Sequence, residues 1–282
     1  MQTSIECIGC LVRQAVDIAR LNIPADSREV FIREVLRRLA GFDYESSPPI
    51  MAMEMYEILR DLTSINDPFA EIKAVYNEKA LAFFPRLKEI MASSPYPIDT
   101  AIRIAVAGNI IDFAAGNHGA VPIEETLNSA LVAPFAIDHM DRLKDRIKDA
   151  GSILYLADNA GEIVFDRVLI EEIGPERVTC AVRDVPIIND ATMEDASAAG
   201  LDDICTVISS GSKAPGTPLE LCSDEFRDLF YSVDTVIAKG QGNYETLTHT
   251  GRDIFFLFMV KCPIISREVG VALNSFIAML NP

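Results

Sequence analysis

The sequence lacks the features that mark membrane-spanning and secreted proteins. No apolar stretch reaches the roughly 18 residues that a helix needs to cross a bilayer. The first residues, MQTSIECIGCLVRQAVDIAR, contain no basic region followed by an apolar core, which is the pattern of a secretion signal. We therefore expect a cytoplasmic protein with no membrane partner.

Positive charge is also scarce. Lys and Arg number 25 against 42 Asp and Glu, which gives a formal net charge of −17. Such a surface repels the phosphates of nucleic acids, so DNA and RNA are not expected partners. An anionic small substrate is compatible with this charge only where lysines, arginines or a metal ion form a local positive cluster.

Cysteine occurs at six positions, without the export signal that would predict a disulfide framework. Cys7 and Cys10 form a Cys-x-x-Cys pair, and the sequence has no second pair of this kind. The spacing suits structural thiols, a redox pair, or half of a zinc site that Cys262 or a histidine would complete. All three roles of these cysteines stay open.

Residues 1–150 are predicted to be helical, because apolar residues recur at helical spacing in successive segments. The segment 99–116 is apolar on nearly every side, which predicts a buried helix. Pro85 lies inside the long amphipathic segment 68–94, where it is expected to kink or break the helix.

Residues 151–282 have a different pattern of apolar residues. Five short apolar runs predict strands, and helical patterns separate the first four: SILYLAD, RVTCAVR, DICTVISSG, DTVIAKG and DIFFLFMVKC. Strands that alternate with helices form a parallel sheet covered on both faces. The expected fold class is therefore α/β, a mostly parallel sheet with an N-terminal all-helical portion. The boundary near residue 150 marks either two domains or a helical cap joined to an α/β base.

Polar side chains cluster where the predicted strands end, which is where ligands bind in open α/β sheets. These positions are Asp158, Asn159, Arg183, Asp184, Asn189, Asp190, Ser209, Ser210, Gly211, Ser212, Lys213, Lys239, Gly240, Gly242, Asn243, Lys261 and Cys262. Asp and Asn oxygens suit Mg²⁺ or Mn²⁺, while lysines and the N–H groups of glycines suit a phosphate. A metal beside lysines is the setting for phosphate-ester hydrolysis by an activated water.

Several of these residues also have a purely structural interpretation. Asn159 can cap the following helix, with Glu162 three residues later in the manner of a capping box. Asp190 can cap the next helix, and Lys213 and Lys239 can be ordinary surface lysines. The functional interpretation depends on the segments meeting at one edge of the sheet.

Five segments together carry a family resemblance. They are LADNAGE at 156–162, NDAT at 189–192, AKGQGNYE at 238–245, AGNIIDFA at 107–114 and CIGC at 7–10. In combination they resemble the damage-control phosphatases, a metal-dependent family, and especially its stand-alone microbial branch. The resemblance covers nearly the whole chain. It implies a Rossmann-like three-layer α/β/α portion, with the helical N-terminal portion forming part of the active-site cap.

The resemblance also implies a reaction, which is the hydrolysis of small phosphorylated metabolites, including sugar phosphates and damaged or side-product forms. It implies a divalent cation held by Asp158, Asn159 and Asp190, with Lys239 as a phosphate ligand. Mn²⁺, Mg²⁺, Co²⁺ and Ni²⁺ share such oxygen ligands, so the sequence does not choose among them.

Asn109 and Asp112 come from the helical portion, and the resemblance implies that they reach the same pocket. They are three residues apart, so they share one face of an otherwise apolar helix. Two polar groups on such a face need partners. A hydrogen bond between Asn109 and Asp112 would supply such partners as well as contact with a ligand would.

A water activated by the metal is the expected attacking species, with Asp158, Asp190 and Lys239 as catalytic residues. Asp158 could instead be a nucleophile, but Ala160 stands where the Asp-x-Asp signature of haloacid-dehalogenase phosphatases needs its second aspartate. The general base is open. The expected substrate contacts are Asn109, Asp112, Ser210, Lys213, Gly240 and Asn243.

Two other classes of function compete with a phosphatase. A cofactor-binding α/β enzyme, such as a dehydrogenase or a carboxyl methyltransferase, would use the same kind of sheet. The first strand lacks the G-x-G-x-x-G turn of dinucleotide-binding sites, and methyl transfer needs no cation. A non-enzymatic binding protein is the third option. The sequence names neither the substrate nor the oligomeric state, so a homo-oligomer stays one option.

Overall fold

The structure, a computed structural model, describes residues 1–110 and 123–281. Its first part is helical, as predicted. The helices span Ile5–Asn22 (α1), Arg28–Ala40 (α2), Pro48–Leu62 (α3), Ala70–Ser93 (α4), Pro97–Ile110 (α5) and Ile123–Val132 (α6). None of the helices in the described ranges is long and apolar enough to cross a membrane.

Helix α4 continues through Pro85, so the predicted break does not occur. A proline inside a helix removes one backbone hydrogen bond and crowds the preceding turn. Ala80 and Leu87 of the same helix are fully buried on either side of Pro85. We attribute the continuity of α4 to this packing, since burial of an apolar face contributes more to helix stability than local propensity does.

The second part of the chain alternates strands with helices. These elements are Phe135–Asp138 (β1), Met140–Asp149 (α7), Ile153–Leu156 (β2), Glu162–Glu172 (α8), Val178–Val182 (β3), Met193–Ala198 (α9), Thr206–Ser209 (β4), Asp224–Ser232 (α10), Thr235–Lys239 (β5), Gly240–Leu247 (α11), Phe255–Met259 (β6), Pro263–Val269 (α12) and Phe276–Leu280 (β7). The five predicted strands are present as β2 to β6. Of the described residues before 150, only Phe135–Asp138 forms a strand, and the domain boundary near that point stays a prediction.

The seven strands form one sheet in the order β1-β7-β6-β5-β2-β3-β4. The strands from β6 to β4 are parallel to one another, whereas β7 is antiparallel to β6 and parallel to β1. From β2 the chain moves outward through β3 to β4, then returns to the other side of β2 with β5. The point between β2 and β5 is therefore a topological switch point, where α/β folds form a crevice for ligands.

Hydrophobic layers cover both faces of this sheet. In β2, Ile153 and Tyr155 pack in the layer that contains α5 and α8, while Leu154 and Leu156 pack in the opposite layer with α10 and α11. All four side chains are buried, as expected for a central parallel strand. The α/β/α layering predicted from the sequence is thus confirmed, and it directs the ends of β2, β3 and β5 towards a shared edge.

Candidate active site

Two loops at this edge carry the three predicted metal ligands. Asp158 and Asn159 follow β2, and Asp190 lies in the loop after β3. The loops are paired through a β-bridge between Asn159 and Asp190, and the Ala191 N–H donates to the Asp158 carbonyl at 2.8 Å. Residues 31 positions apart in sequence are therefore neighbours in space, as the resemblance implies.

Gly240 closes the site from the side of β5. It is the first residue of α11, and its φ of +77° lies in the left-handed region that favours glycine. A Cβ built at this position would stand 1.9 Å from Asp158 Oδ2. Glycine is thus required at residue 240 by both the backbone conformation and the space that the Asp158 carboxylate occupies.

Two asparagines hold the Asp158 carboxylate. Asn109 Nδ2 donates to Asp158 Oδ2 at 3.1 Å and to Glu162 Oε2 at 3.0 Å, and Asn109 Oδ1 accepts from the Met259 N–H at 3.1 Å. Asn159 Nδ2 donates to the same two carboxylate oxygens, at 2.7 Å and 3.1 Å. Because its NH₂ group is directed at the carboxylates, Oδ1 is the side-chain atom with which Asn159 would bind a cation.

Asn159 and Asp190, two of the predicted ligands, do not cap the helices that follow them. Helix α8 has Gly161 as its N-cap, with no side-chain cap bond, so Asn159 does not cap it. Helix α9 begins with a capping box formed by Thr192 and Asp195, not with Asp190. Asn159 and Asp190 are therefore left available for the functional role.

Arg183, fully buried, holds Asp190. Its Nε donates to Asp190 Oδ2 at 2.7 Å, and its Nη2 donates to the carbonyl of Ala157 at 3.3 Å and to Asn243 Oδ1 at 3.4 Å. Burial raises the pKa of Asp190, although the Arg183 guanidinium opposes that shift. The bond to Arg183 fixes the orientation of the Asp190 carboxylate, which is a predicted metal ligand.

Lys239 is fully buried, which excludes its interpretation as a surface lysine. Its Nζ donates to Glu162 Oε1 at 2.6 Å, to Asp166 Oδ1 at 2.5 Å and to the Ala105 carbonyl at 2.8 Å. Burial acts to lower the pKa of Lys239, but the carboxylates of Asp166 and Glu162 outweigh it and raise that pKa above its usual value. Since these three bonds use the ammonium hydrogens, a role as phosphate ligand stays a prediction.

The other predicted substrate residues lie in different surroundings. Asn243 is buried, where Nδ2 donates to the Lys239 carbonyl at 2.7 Å and Oδ1 accepts from Thr217 Oγ1 at 2.7 Å. Ser210 is buried and accepts from a backbone N–H, while Lys213 is exposed. Asp112 lies outside the described residues. These bonds connect the C-terminal end of β5 at Lys239 with the loop that contains Thr217. Contact between Asn243 and a substrate stays a prediction.

Cys7 and Cys10 of the N-terminal motif and Cys262, the residue before α12, are free thiols. Cys7 is buried, Cys10 is exposed and Cys262 is half-buried. Burial raises the pKa of both Cys7 and Cys10, which lowers their thiolate fraction at neutral pH. Within residues 1–110 and 123–281, no three His, Cys, Asp or Glu side chains are arranged to hold a metal ion. His118 lies outside the described residues, so the role of this motif stays open.

The carboxylates and the amide at the switch point fit a divalent cation when Asn159 is counted as a ligand. Burial raises the pKa of Asp158 well above its usual value, and the negative charges of Glu162 and Asp190 add to this effect. Carboxylates that crowd together in a buried place repel one another, and a cation between them removes that repulsion. Asp158, Asn159 and Asp190 all offer hard oxygen ligands, which Mg²⁺ and Mn²⁺ prefer.

Glu162, Asp166 and Arg183 are the site residues whose roles were not predicted. The sequence analysis assigned Glu162 only to a helix cap, yet it links Lys239 to the two asparagine amides. A signal was present, because Glu162 and Asp166 are four residues apart and share one face of a helix rich in apolar residues. Buried carboxylates on such a face need a cationic partner, which Lys239 supplies.

Comparisons with known proteins agree with this architecture. The model of the damage-control phosphatase ARMT1-like domain matches residues 3–276. A damage-control phosphatase of Pyrococcus horikoshii is 36% identical over 293 residues, with 100% of this chain and 99% of the relative covered. Another from Archaeoglobus fulgidus is 34% identical over 288 residues, with 99% of each chain covered. The crystal structure of a DUF89 family protein from Pyrococcus horikoshii matches with a TM-score of 0.89 at 34% identity over 100% of both chains.

The family match and the structural match cover nearly the whole chain, so they concern the helical part as well as the sheet. They confirm the family and the fold class that the sequence motifs predict. The chain belongs to the damage-control phosphatase ARMT1-like family.

Proposed function

We propose that this chain is a metal-dependent phosphatase that hydrolyses small phosphorylated metabolites, such as sugar phosphates and damaged or side-product phosphometabolites. Two relatives with matches along their whole length carry the name damage-control phosphatase, which supports the reaction class. Its proposed partners are small molecules rather than nucleic acids or membranes, and its proposed location is the cytoplasm.

The observation that carries this proposal is the pairing of the two ligand loops at the switch point. In each loop a protein donor holds the ligand carboxylate: Asn109 and Asn159 hold Asp158, and Arg183 holds Asp190. These bonds support the proposal, because they would hold the two carboxylates in place before a cation binds. A divalent cation held there would neutralise phosphate oxygens and lower the pKa of a coordinated water, which is the chemistry that ester hydrolysis needs.

The start of α11 supports a phosphate at the same edge. This helix begins at Gly240 beside Asp158, and the N–H groups of a first helical turn, with the helix dipole, favour an anion. A Cβ at Gly242 in the same turn would lie 3.2 Å from the Gly216 nitrogen, so glycine at this position lets the loop after β4 pack against the start of α11. We propose that backbone N–H groups here, with Ser210 and Lys213 from the loop after β4, bind the phosphate and orient it towards Asp158.

The experiment is phosphate release from a panel of sugar phosphates and phosphorylated cofactor fragments. The protein is first stripped with a chelator, and Mn²⁺, Mg²⁺, Co²⁺ and Ni²⁺ are then added back in turn. We expect at least one cation to restore release, and Asp158→Ala to abolish it. Asp184→Ala is the matched control, because Asp184 is an exposed carboxylate near the same edge that bonds Ser209.

Two results would contradict the proposal in different ways. Release that persists in Asp158→Ala would contradict the assigned site. A folded protein that binds Mn²⁺ but releases no phosphate from any compound would contradict the reaction class. The cation that restores most activity and the compound hydrolysed fastest would identify the working metal and the substrate class.

A further inference from the structure

A side chain from helix α4 contacts the first ligand loop from outside the sheet. Asn77 is buried, and its Oδ1 accepts a hydrogen bond of 2.7 Å from the Gly161 N–H, two residues after Asn159. Gly161 has a φ of +76°, and a Cβ there would lie 3.1 Å from Tyr76 Cβ. The loop therefore passes directly over α4 at a position where only glycine fits without strain.

The same side chain also contacts the segment that follows the second ligand loop. Asn77 Nδ2 donates to Asp195 Oδ1 at 2.8 Å. Asp195 Oδ2 in turn accepts from the N–H and the hydroxyl of Thr192, both at 2.9 Å, and Thr192 is two residues after Asp190. Lys73, one turn earlier on α4, donates to Asp195 Oδ2 at 2.9 Å.

The two ligand loops are thus joined at two places. Directly, they share the bridge between Asn159 and Asp190. Indirectly, they are joined through the Asn77 amide, whose oxygen bonds one loop and whose nitrogen bonds Asp195, the residue of α9 that forms the capping box with Thr192 at the end of the other loop. A planar amide of fixed size sets the distance between its two partners, whereas an apolar side chain of similar volume would fill the space without fixing that distance.

We propose that Asn77 is a positioning residue that sets the separation of the two ligand loops and thereby the affinity of the cation site. The inference rests on the proposed function, because it takes Asp158, Asn159 and Asp190 as the cation ligands. Lys73 supports this arrangement by compensating the charge of Asp195, and also of Asp67, which lies 3.1 Å from its Nζ. Residues that orient metal ligands from outside the coordination sphere typically change metal affinity by roughly 10- to 100-fold.

The test measures Mn²⁺ binding alone, by calorimetry on chelator-stripped protein. We expect Asn77→Ala to raise the Mn²⁺ dissociation constant by roughly tenfold or more. The control is Glu78→Ala, an exposed neighbour on the same helix, which should bind Mn²⁺ as the wild type does. Urea unfolding of the metal-free proteins is measured alongside. A lower free energy of unfolding with an unchanged dissociation constant would show a merely structural role and overturn the inference.

Asn77→Ser replaces the amide with a smaller hydroxyl group and serves where Asn77→Ala does not fold, with the same expected loss of affinity. Hydrogen exchange of the Gly161 amide in metal-free wild type adds a measurement that needs no variant. Slow exchange is expected because Asn77 accepts this hydrogen before any cation binds, and exchange as fast as in an unfolded peptide would overturn the inference.

Asp158→Ala separates this inference from the proposed function. A wild type that binds Mn²⁺ no better than Asp158→Ala does would overturn the proposed site, and the positioning role with it. Binding that requires Asp158 but is the same in the Asn77 variants and the wild type would overturn the positioning role alone.

Discussion

Gly240 and Asp158 are in such close contact that no other residue fits at position 240: an added Cβ would lie 1.9 Å from Asp158 Oδ2. Gly240→Ala should therefore displace the carboxylate and weaken Mn²⁺ binding. The left-handed φ adds a strain of about 1–2 kcal/mol to the folded state. Calorimetric titration with Mn²⁺ and thermal unfolding measure the two effects separately.

Gly270→Ala is the matched control for that substitution. Gly270 ends α12 with a φ of +72°, and a Cβ there would meet nothing within 4 Å. We expect the backbone strain of the left-handed φ in both variants, but the clash with Asp158 and weaker Mn²⁺ binding only in Gly240→Ala. Equal Mn²⁺ binding by the two variants would show that the contact with Asp158 does not constrain the site.

Replacing Lys239 with Met should destabilise the fold strongly. The substitution leaves Glu162 and Asp166 buried without their cationic partner, a change that typically costs about 3–5 kcal/mol of unfolding free energy. Lys213→Met, at an exposed lysine, should stay within about 0.5 kcal/mol of the wild type. Urea unfolding measures both, and similar values for the two variants would contradict the proposed importance of the buried network.

Two helical glycines should respond to alanine with opposite signs. A Cβ at Gly108 in α5 would lie 2.8 Å from Phe165 Cβ in α8, so the two helices would have to separate, and we expect a loss of about 1–3 kcal/mol. A Cβ at Gly9 in α1 meets nothing within 4 Å, and the higher helix propensity of alanine should add about 0.5–1 kcal/mol. Stabilisation by Gly108→Ala would contradict the close packing of α5 on α8.

Asp166 should make the stability of the protein depend on pH. Burial raises its pKa from 3.8 to about 7, and the charge of Lys239 opposes this only in part. The folded state therefore binds this proton more tightly than the unfolded state, so the unfolding free energy falls as pH rises from about 4 to 7. Asp166→Asn removes that contribution, and urea unfolding across this range should give a shallower slope.

Asp234→Asn is the control of opposite sign. Hydrogen bonds from Ser152 and Gly151 lower the pKa of Asp234. The stability that ionised Asp234 adds to the folded state is therefore present above pH 4 and is lost as the pH falls further. Its substitution should lower stability at neutral pH without changing the slope between pH 4 and 7. If the unfolding free energy of Asp166→Asn changes with pH as steeply as that of the wild type, the raised pKa of Asp166 is contradicted.

The central strands were predictable because each is a continuous apolar run followed by a helix. The sequence analysis missed two strands, Phe135–Asp138 and Phe276–Leu280, although the second is apolar throughout. The first has four residues with alternating exposure at the edge of the sheet, and the second runs antiparallel to β6. Their pairing depends on contacts distant in sequence, which local patterning does not report.

The site was predictable only in part for a similar reason. Residues that end strands were identified from the strand pattern, so Asp158, Asn159 and Asp190 could be placed at one edge. The burial of Arg183 and Lys239 could not be predicted, because the sequence around a charged residue does not show which partners folding will bring to it. In both cases the partner is a carboxylate, which compensates the buried positive charge.

Asn109 belongs to the helical part, yet its amide bonds Asp158 and Glu162, and its oxygen bonds the end of β6 at Met259. Chimeras that join the N-terminal helices of one family member to the sheet of another would therefore keep these bonds to Asp158 and Glu162 only where the parent of the helices supplies an amide at the same place. A crossover after residue 110 exchanges the amide together with α5, whereas one before α5 leaves it with its own sheet. Recombination at the earlier point should thus keep the Asn109 contacts with their own sheet, but it exchanges α4 and with it the Asn77 contacts to Gly161 and Asp195.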